Sequence, residues 1–311
     1  MESLLAKVEL IPPNIQKPTI RSRLDPIVYS SKACGSPSTA GTFDSIVYKF
    51  PSPRTEPPQF ATGITCLDIS RNGGSGTLHL VGEVINVTKK DYKVNVNSLI
   101  GTGNHSSTIT FFEVARTDPD FQQGRIITYM PSLYPNDTDI KNYTRFARTF
   151  AEDVEVVVWL TQIDAQCFKA GFLYIDTCLQ NVSREGFELL YKMCGGSQYL
   201  GCSWIAYPTS NPGIDSGWID RLVLGLTGDW VNTADSSRLH KVTFKKVFKK
   251  PPQVWLAWSG VNLILPDNIR LQTHIVQDSI TARGFEFNVR AWGKSVLVTG
   301  SLCWLAVEMD K

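Results

Sequence analysis

The sequence predicts an all-β chain of three tandem antiparallel β-sandwich domains. One phrase occurs twice, as FPSPRTEPPQFATGITCLDI at residues 50–69 and as FKKPPQVWLAWSGVNLI at residues 248–264. A degraded copy, FAEDVEVVVWLTQID, lies between them at residues 150–164. Apolar, β-branched and aromatic residues alternate in short runs that Gly, Pro, Asn and Asp separate, and no segment has a convincing 3.6-residue period. These two observations, an internal repeat and a β pattern, carry the prediction.

Three landmarks define the repeat, and they recur with a period of roughly 95 to 98 residues. The first landmark is an Asx residue at or near the end of each quoted phrase, which is Asp68, Asp164 or Asn262. The second opens an alternating strand, in DYKVNV from Asp91, GFELLY from Gly186 and GFEFNV from Gly284. The third closes each unit, in STITFFEVA from Ser107, GCSWIAY from Gly201 and GSLCWLAVE from Gly300. We therefore predict domains at residues 1–117, which include an N-terminal lead-in, 118–210 and 211–311.

The elements of one unit are clearest in the third copy. Its predicted strands are LHKVTFKKVF, QVWLAWSGVNLIL, IRLQTHIVQ, FEFNVRAW and VLVTGSLCWLAVEM. Short strands in a unit of about a hundred residues are typical of an antiparallel sandwich. The PPQ motif precedes the core strand, where proline is tolerated because no ladder hydrogen bond is required from it. In KKVFKK, residues 245–250, the alternation favours a solvated strand face, with Phe244 and Val247 pointing inward, over a basic patch.

Composition excludes several classes of function. The 311 residues are 42% apolar and 19% charged, which is enough for sizeable cores, and the net charge of +2 argues against a nucleic-acid partner. No apolar run approaches the ~18 residues that a membrane span needs, so no membrane insertion is expected. The start, MESLLAKVELIPPN, does not resemble a signal peptide. The seven cysteines form no CxxC pair, so we expect reduced thiols, no metal or other cofactor, and a cytoplasmic location or release by a non-classical route.

The third copy resembles the H-type lectins, the snail agglutinin domains and the C-terminal domains of the slime-mould discoidins. The resemblance is carried by IDSGWID, VTFKKVFKKPPQVWLAWSGVNL, NIRLQ, GFEFNVRAW and CWLAVE, whereas the first two copies share the scaffold. It implies a six-stranded sandwich that assembles as a trimer and binds galactose or N-acetylgalactosamine near subunit boundaries. We therefore expect the three repeats to pack around a pseudo-threefold axis. The partners implied are glycans or glycoconjugates, with homo-oligomers of the chain as a further assembly.

The resemblance also implies the residues of the site. The arginine that grips sugar hydroxyls corresponds to Arg270, and the tryptophan that packs on the sugar corresponds to Trp292. The position that often carries histidine is Gly293, which departs from the pattern. The acidic residue falls in the loop DWVNTADSSR, where Asp235 is the first choice and Asp229 the alternative.

The strand pattern supports part of this assignment independently. The predicted strands 270–277 and 285–292 flank a turn at TARG, so Arg270 and Trp292 face each other across a hairpin. Phe285, Phe287 and Val289 alternate with Trp292 and its polar neighbours, which places the tryptophan on the solvent side. The alternative is an Arg–Trp cation–π pair that merely supports the hairpin.

The other two copies cannot form the same site, because the corresponding pairs are His79 with Leu99 and Tyr174 with Cys194. No nucleophile motif or HExxH sequence accompanies the four histidines, so the chain is not expected to be an enzyme. The sequence thus predicts a carbohydrate-binding protein. The alternative is a protein-interaction or structural module on a lectin scaffold whose sugar site has decayed.

Overall fold

The computed structural model describes residues 27–29, 42–71, 78–98, 102–129, 138–165, 171–194, 197–222, 236–264, 268–293 and 295–309. In this part of the chain there are eighteen strands and no helix, and therefore no helix that could cross a membrane. The strands are β1 Ile27–Tyr29, β2 Thr42–Lys49, β3 Gln59–Arg71, β4 Leu78–Ile85, β5 Asp91–Ser98, β6 Thr102–Val114, β7 Gln122–Tyr129, β8 Thr138–Arg145, β9 Val154–Ala165, β10 Phe172–Gln180, β11 Gly186–Cys194, β12 Ser197–Pro208, β13 Ile214–Leu222, β14 Ser236–Thr243, β15 Gln253–Ile264, β16 Asn268–Thr281, β17 Gly284–Ala291 and β18 Val296–Val307. The predicted all-β class is confirmed.

The strands form three antiparallel six-stranded sheets that each join two repeats. Sheet I has the order β1-β6-β3-β16-β17-β14, sheet II the order β13-β18-β15-β10-β11-β8, and sheet III the order β2-β5-β4-β9-β12-β7. With six strands assigned to each repeat in chain order, sheet I joins repeats 1 and 3, sheet II joins repeats 3 and 2, and sheet III joins repeats 2 and 1. The three repeats therefore close into a ring, as expected for an intramolecular counterpart of a trimer. The predicted boundaries after residues 117 and 210 fall between β6 and β7 and between β12 and β13.

Equivalent positions meet at the three seams, the places where strands of two repeats pair. At each seam the central strand of one repeat lies beside the first hairpin strand of another. The facing residues are Asp68 with Arg270, Asp164 with His79, and Asn262 with Tyr174. At every seam, therefore, the Asx residue of one repeat pairs with the residue of another repeat that is equivalent to Arg270.

The three central strands β3, β9 and β15 pack on one another in an apolar cluster separate from the sandwich cores. At one set of equivalent positions the residues are Gly63, Trp159 and Ala257, and two residues earlier they are Ala61, Val157 and Trp255. A Cβ atom on Gly63 would lie 2.4 Å from the Cβ of Ala257 and 2.9 Å from that of Trp159. Each set thus combines one tryptophan with two smaller residues, so the repeats are not interchangeable.

The KKVFKK run corrects a prediction. It lies between β14 and β15, outside any strand, and Val247 is 69% exposed, although Phe244 is buried as expected. The prediction that Val247 points inward was wrong, because side chains alternate between two faces in a strand but not in a loop. Lys246 is not a solvated charge either. Its ammonium donates to the carbonyl oxygens of Thr209, Asn211 and Ile214, and so holds the segment between repeats 2 and 3.

Candidate functional site

The β16–β17 hairpin presents one buried and one solvent-facing side. Phe285, Phe287 and Val289 are fully buried, and Leu271 opposite Ala291 is buried as well. The alternation that the sequence predicts is therefore present. Immediately beyond β17 the N–H of Trp292 donates to the carbonyl of Arg270 at 3.2 Å, which extends the register by one pair. The hairpin thus brings the backbones of Arg270 and Trp292 side by side.

Ser295 fixes the end of this hairpin. Its hydroxyl accepts the N–H of Arg270 at 2.9 Å and lies 2.9 Å from the carbonyl of Asn268, to which it donates. The N–H of Ser295 in turn donates to the carbonyl of Trp292 at 3.2 Å. Because the hydroxyl and the backbone N–H of Ser295 together tie both sides of the hairpin to one residue, the backbone beneath Arg270 is held in place.

The guanidinium of Arg270 is anchored from another repeat. Its Nε donates to Oδ1 of Asp68 at 3.1 Å, and the two side chains are 30% and 19% exposed. Asp68 belongs to repeat 1, so the site spans the seam between repeats 3 and 1. The sequence analysis used Asp68 as a landmark of the repeat but did not select it as a candidate site residue. Two signals could have found it. An Asx residue recurs at this position, and the resemblance implies sites at subunit boundaries.

Gly293 is shaped to accept the Arg270 side chain. Its φ of +61° belongs to the left-handed region, and a Cβ there would lie 2.4 Å from Nη1 and 2.5 Å from Cδ of Arg270. The arginine therefore occupies the space that a side chain at position 293 would need. A histidine at this position, as the resemblance leads one to expect, would have to displace the guanidinium.

Trp292 contacts a different arginine from the one expected. The guanidinium carbon of Arg290 lies 5.3 Å from the centroid of the Trp292 ring, which is a cation–π distance. The hypothesis of a supporting cation–π pair thus applies to Arg290 and Trp292, while Arg270 lies against Asp68 and Gly293. Asp235 and its alternative Asp229 lie outside the described residues, so their role stays a prediction.

The two other seams have different side chains at the same position. Nδ1 of His79 lies 3.1 Å from Oδ2 of Asp164, and these side chains are 13% and 9% exposed, so this pair is more enclosed than Arg270 and Asp68. Tyr174 faces Asn262 on one side and Cys194 on the other, while Leu99 lies outside the described residues. Among the residues that the structure describes, no group of three or more His, Cys, Asp or Glu could hold a metal ion.

In the described residues the fold is an all-β ring of sandwiches, and the Arg270–Asp68 pair lies where two repeats meet. Residues 239–307 match the family model of the H-type lectin domain, so the third repeat contains an H-type lectin domain. The matched segment includes Arg270, Trp292 and Gly293, while Asp68 comes from outside it. No curated protein and no solved structure matches the chain. Such a domain indicates carbohydrate binding and belongs to a non-catalytic family.

Proposed function

We propose that this protein is a lectin that binds galactose or N-acetylgalactosamine at the seam between repeats 3 and 1, without catalysis. The supporting observation is the Arg270–Asp68 pair beside Trp292, within an H-type lectin domain. Its position at a junction of repeats corresponds to the subunit boundary of the single-domain relatives.

The geometry suits a galactose ring. With Nε bound to Asp68, the planar guanidinium of Arg270 keeps its Nη groups to donate to two neighbouring hydroxyls. The carboxylate of Asp68 has further lone pairs that can accept a sugar hydroxyl. Trp292 supplies an indole face for the apolar side of the ring. The three groups together supply a donor pair, an acceptor and an apolar platform.

Gly293 leads to a prediction about specificity. No side chain at this position can contact the acetamide of N-acetylgalactosamine, since the space is filled by Arg270. The affinity for N-acetylgalactosamine should therefore exceed that for galactose by less than about tenfold, or 1.4 kcal/mol.

A glycan array followed by calorimetry tests the proposal. Trp292→Ala should raise Kd by roughly ten- to a hundredfold, because it removes the platform. Arg270→Lys should weaken binding clearly, since an ammonium cannot form the two-pronged contact, and Asp68→Asn should also do so by releasing the guanidinium. Tyr174→Phe at the equivalent position in repeat 2 and Arg283→Lys on the exposed hairpin turn are the controls, and neither should change Kd.

Two outcomes would count against this function. Unchanged binding by Trp292→Ala would place the sugar site elsewhere. A folded parent that binds no glycan on the array would favour the alternative, a protein-interaction module. The contact between Gly293 and Arg270 is the observation that favours this alternative, because it departs from the sugar-binding pattern of the family.

A further inference from the structure

One exposed tryptophan lies away from the seams, beside a groove between repeats 2 and 3. Trp218, on the edge strand β13, is 40% exposed. It differs in this respect from the buried tryptophans of the described part of the chain, which are Trp159, Trp204, Trp255, Trp258 and Trp304. A partly exposed indole is a common sign of a contact surface, because exposure of so large an apolar group is unfavourable.

Repeat 2 shows how the scaffold otherwise fills this position. Gly124 in β7 and Gly217 in β13 are equivalent, since a Cβ on either would lie 2.7 to 2.8 Å from the indole of Trp204 or Trp304 respectively. The following residues, Arg125 and Trp218, are therefore equivalent too. Arg125 is engaged within its own sheet, by Glu83 at 2.5 Å and Gln162 at 3.1 Å. The fold therefore does not require an exposed indole at this position, because repeat 2 has an arginine there.

Trp218 lines a groove of about 240 Å³ between repeats 2 and 3. The other apolar groups of the groove come mainly from repeat 2 and include Val154, Val156, Leu179 and Val182. Val182 is itself 40% exposed. The volume is below the roughly 300–1,000 Å³ of pockets for drug-sized ligands, so it accommodates one ring and not an extended chain.

Polar groups line the other part of the groove. Oε1 of Glu155 accepts from the ammonium of Lys245 at 2.8 Å, and Oε2 accepts from the hydroxyls of Ser216 at 2.9 Å and Tyr207 at 2.7 Å. Burial alone would raise the pKa of Glu155, but the hydrogen bonds from Lys245, Tyr207 and Ser216 together lower it. The carboxylate is therefore ionised at neutral pH and pairs with Lys245, which leaves the lining without net charge.

We propose that this groove is a second saccharide site, which takes one neutral pyranose ring. A pyranose has an apolar face for Trp218 and hydroxyls for the polar part of the groove, and the balanced lining does not select for a charged ligand. The ammonium of Lys245, whose side chain is 56% exposed, donates to a hydroxyl, and Glu155 positions that ammonium. The choice of a sugar rests on the proposed lectin function, but the site uses none of the residues at the first seam.

Two sites, one at the seam between repeats 3 and 1 and one in the groove between repeats 2 and 3, would make a single chain bivalent. The protein could then cross-link glycans without forming oligomers, and the gain in avidity would depend on whether one glycan reaches both sites. The groove is shallow and offers few polar groups, so we expect weaker binding there than at the first seam.

Fluorine NMR on the full chain labelled with 5-fluorotryptophan tests the inference. The probes are the methyl glycosides of galactose, N-acetylgalactosamine, N-acetylglucosamine, glucose and mannose. Trp218→Phe assigns the signal. In the Trp292→Ala variant, which weakens the first site, the Trp218 signal should still shift saturably with at least one probe. Lys245→Met should raise the Kd measured from that shift by about tenfold.

Trp218→Arg is a matched variant, because it installs the residue type that repeat 2 carries at this position. It should fold and keep the binding that depends on Trp292. It should lose the ability to precipitate a multivalent glycan, which a bivalent parent should have.

If sugar shifts the Trp292 signal of the parent but never that of Trp218, the second site is refuted while the lectin function stands. If no probe shifts either signal, both proposals fail. A Trp218 signal that depends on protein concentration and not on sugar would show that another copy of the chain occupies the groove, and would also refute the inference.

Discussion

Arg270 has a fixed place because three neighbours limit it. Asp68 holds its Nε at 3.1 Å, Ser295 accepts its backbone N–H, and Gly293 leaves room for its side chain. Removal of any of these contacts would release a long, flexible side chain. Sugar binding would then have to order this side chain again, and the entropy cost would weaken the binding. If the proposed site binds sugar, its affinity should depend on the groups that support Arg270 as well as on Arg270 itself.

Gly293→Ala should weaken sugar binding by about tenfold or more, because the new Cβ would have to displace the guanidinium. It should also lower the free energy of unfolding by roughly 1 kcal/mol, the usual cost of a positive φ in a residue with a side chain. Gly171→Ala is the matched control: φ is +76° there, but a Cβ would meet nothing within 4 Å. The control should be destabilised similarly in thermal unfolding and should bind normally in calorimetry. Equal binding by both variants would show that Gly293 does not position Arg270.

Asp118, between repeats 1 and 2, should make stability depend on pH. Burial raises its pKa to about 6, although Oδ1 accepts the N–H groups of Asp120 and Phe121. The folded state then binds the proton more tightly than the unfolded state, so the contribution of Asp118 to stability is fully present below about pH 4 and is lost as pH rises through 6. Asp118→Asn keeps the acceptor and removes the charge. Relative to this variant, the parent should lose about 1–3 kcal/mol between pH 4 and pH 7.5 in urea unfolding. A constant difference over that range would contradict the assignment.

At the scale of elements, the central strands β3, β9 and β15 serve two purposes. Each belongs to the core of its own sandwich and also packs against the central strands of the other repeats. Cross-repeat bonds accompany this packing: Trp159 donates to the carbonyl of Cys303 at 2.9 Å, and Trp255 donates to that of Phe111 at 3.1 Å. The tryptophans need small residues opposite them, which explains why three copies of one strand differ so much here.

Gly63→Ala should destabilise the protein by roughly 1–3 kcal/mol, because its Cβ would lie 2.4 Å from that of Ala257. Ala257→Gly should also be destabilising, by about 1 kcal/mol, since it removes a buried methyl group and adds backbone freedom. Because the two methyl groups compete for one space, the double variant should be clearly more stable than the sum of the single effects predicts. Denaturant unfolding of the four proteins measures this coupling, and strict additivity would refute the packing argument.

At the scale of the whole molecule, each repeat depends on the other two for strand pairing. In repeat 3, β16 pairs with β3 of repeat 1, and β15 pairs with β10 of repeat 2. A repeat removed from the ring would expose two strand edges and the surface of its central strand, and an unpaired edge favours aggregation. The ring therefore completes the pairing of the sandwiches and also brings Asp68 and Arg270 together at the candidate site.

The fragment 211–311 should not fold cooperatively as a monomer, and it should not bind sugar because it lacks Asp68. Circular dichroism during heating and size-exclusion chromatography measure this. Co-expression with residues 1–210 should restore both folding and binding, since it returns every seam partner. A fragment that is monomeric, melts cooperatively and binds galactose as the full chain does would show that the third repeat is independent of the ring.

The sequence by itself determined the β class, the threefold repeat and the solvent-facing side of the β16–β17 hairpin. These follow from local patterns, because side chains alternate every two residues along a strand and a repeated unit repeats its landmarks. The resemblance also gave Arg270, Trp292 and Gly293 as candidate site residues, and their role in binding stays a prediction. Only the tertiary structure decided that Asp68, 202 residues away, holds Arg270, that Arg290 lies beside Trp292, and that Trp218 lines a groove between repeats 2 and 3. Such contacts depend on which repeats pair and in what register, and that choice is set by the packing of the three central strands, which no local pattern records.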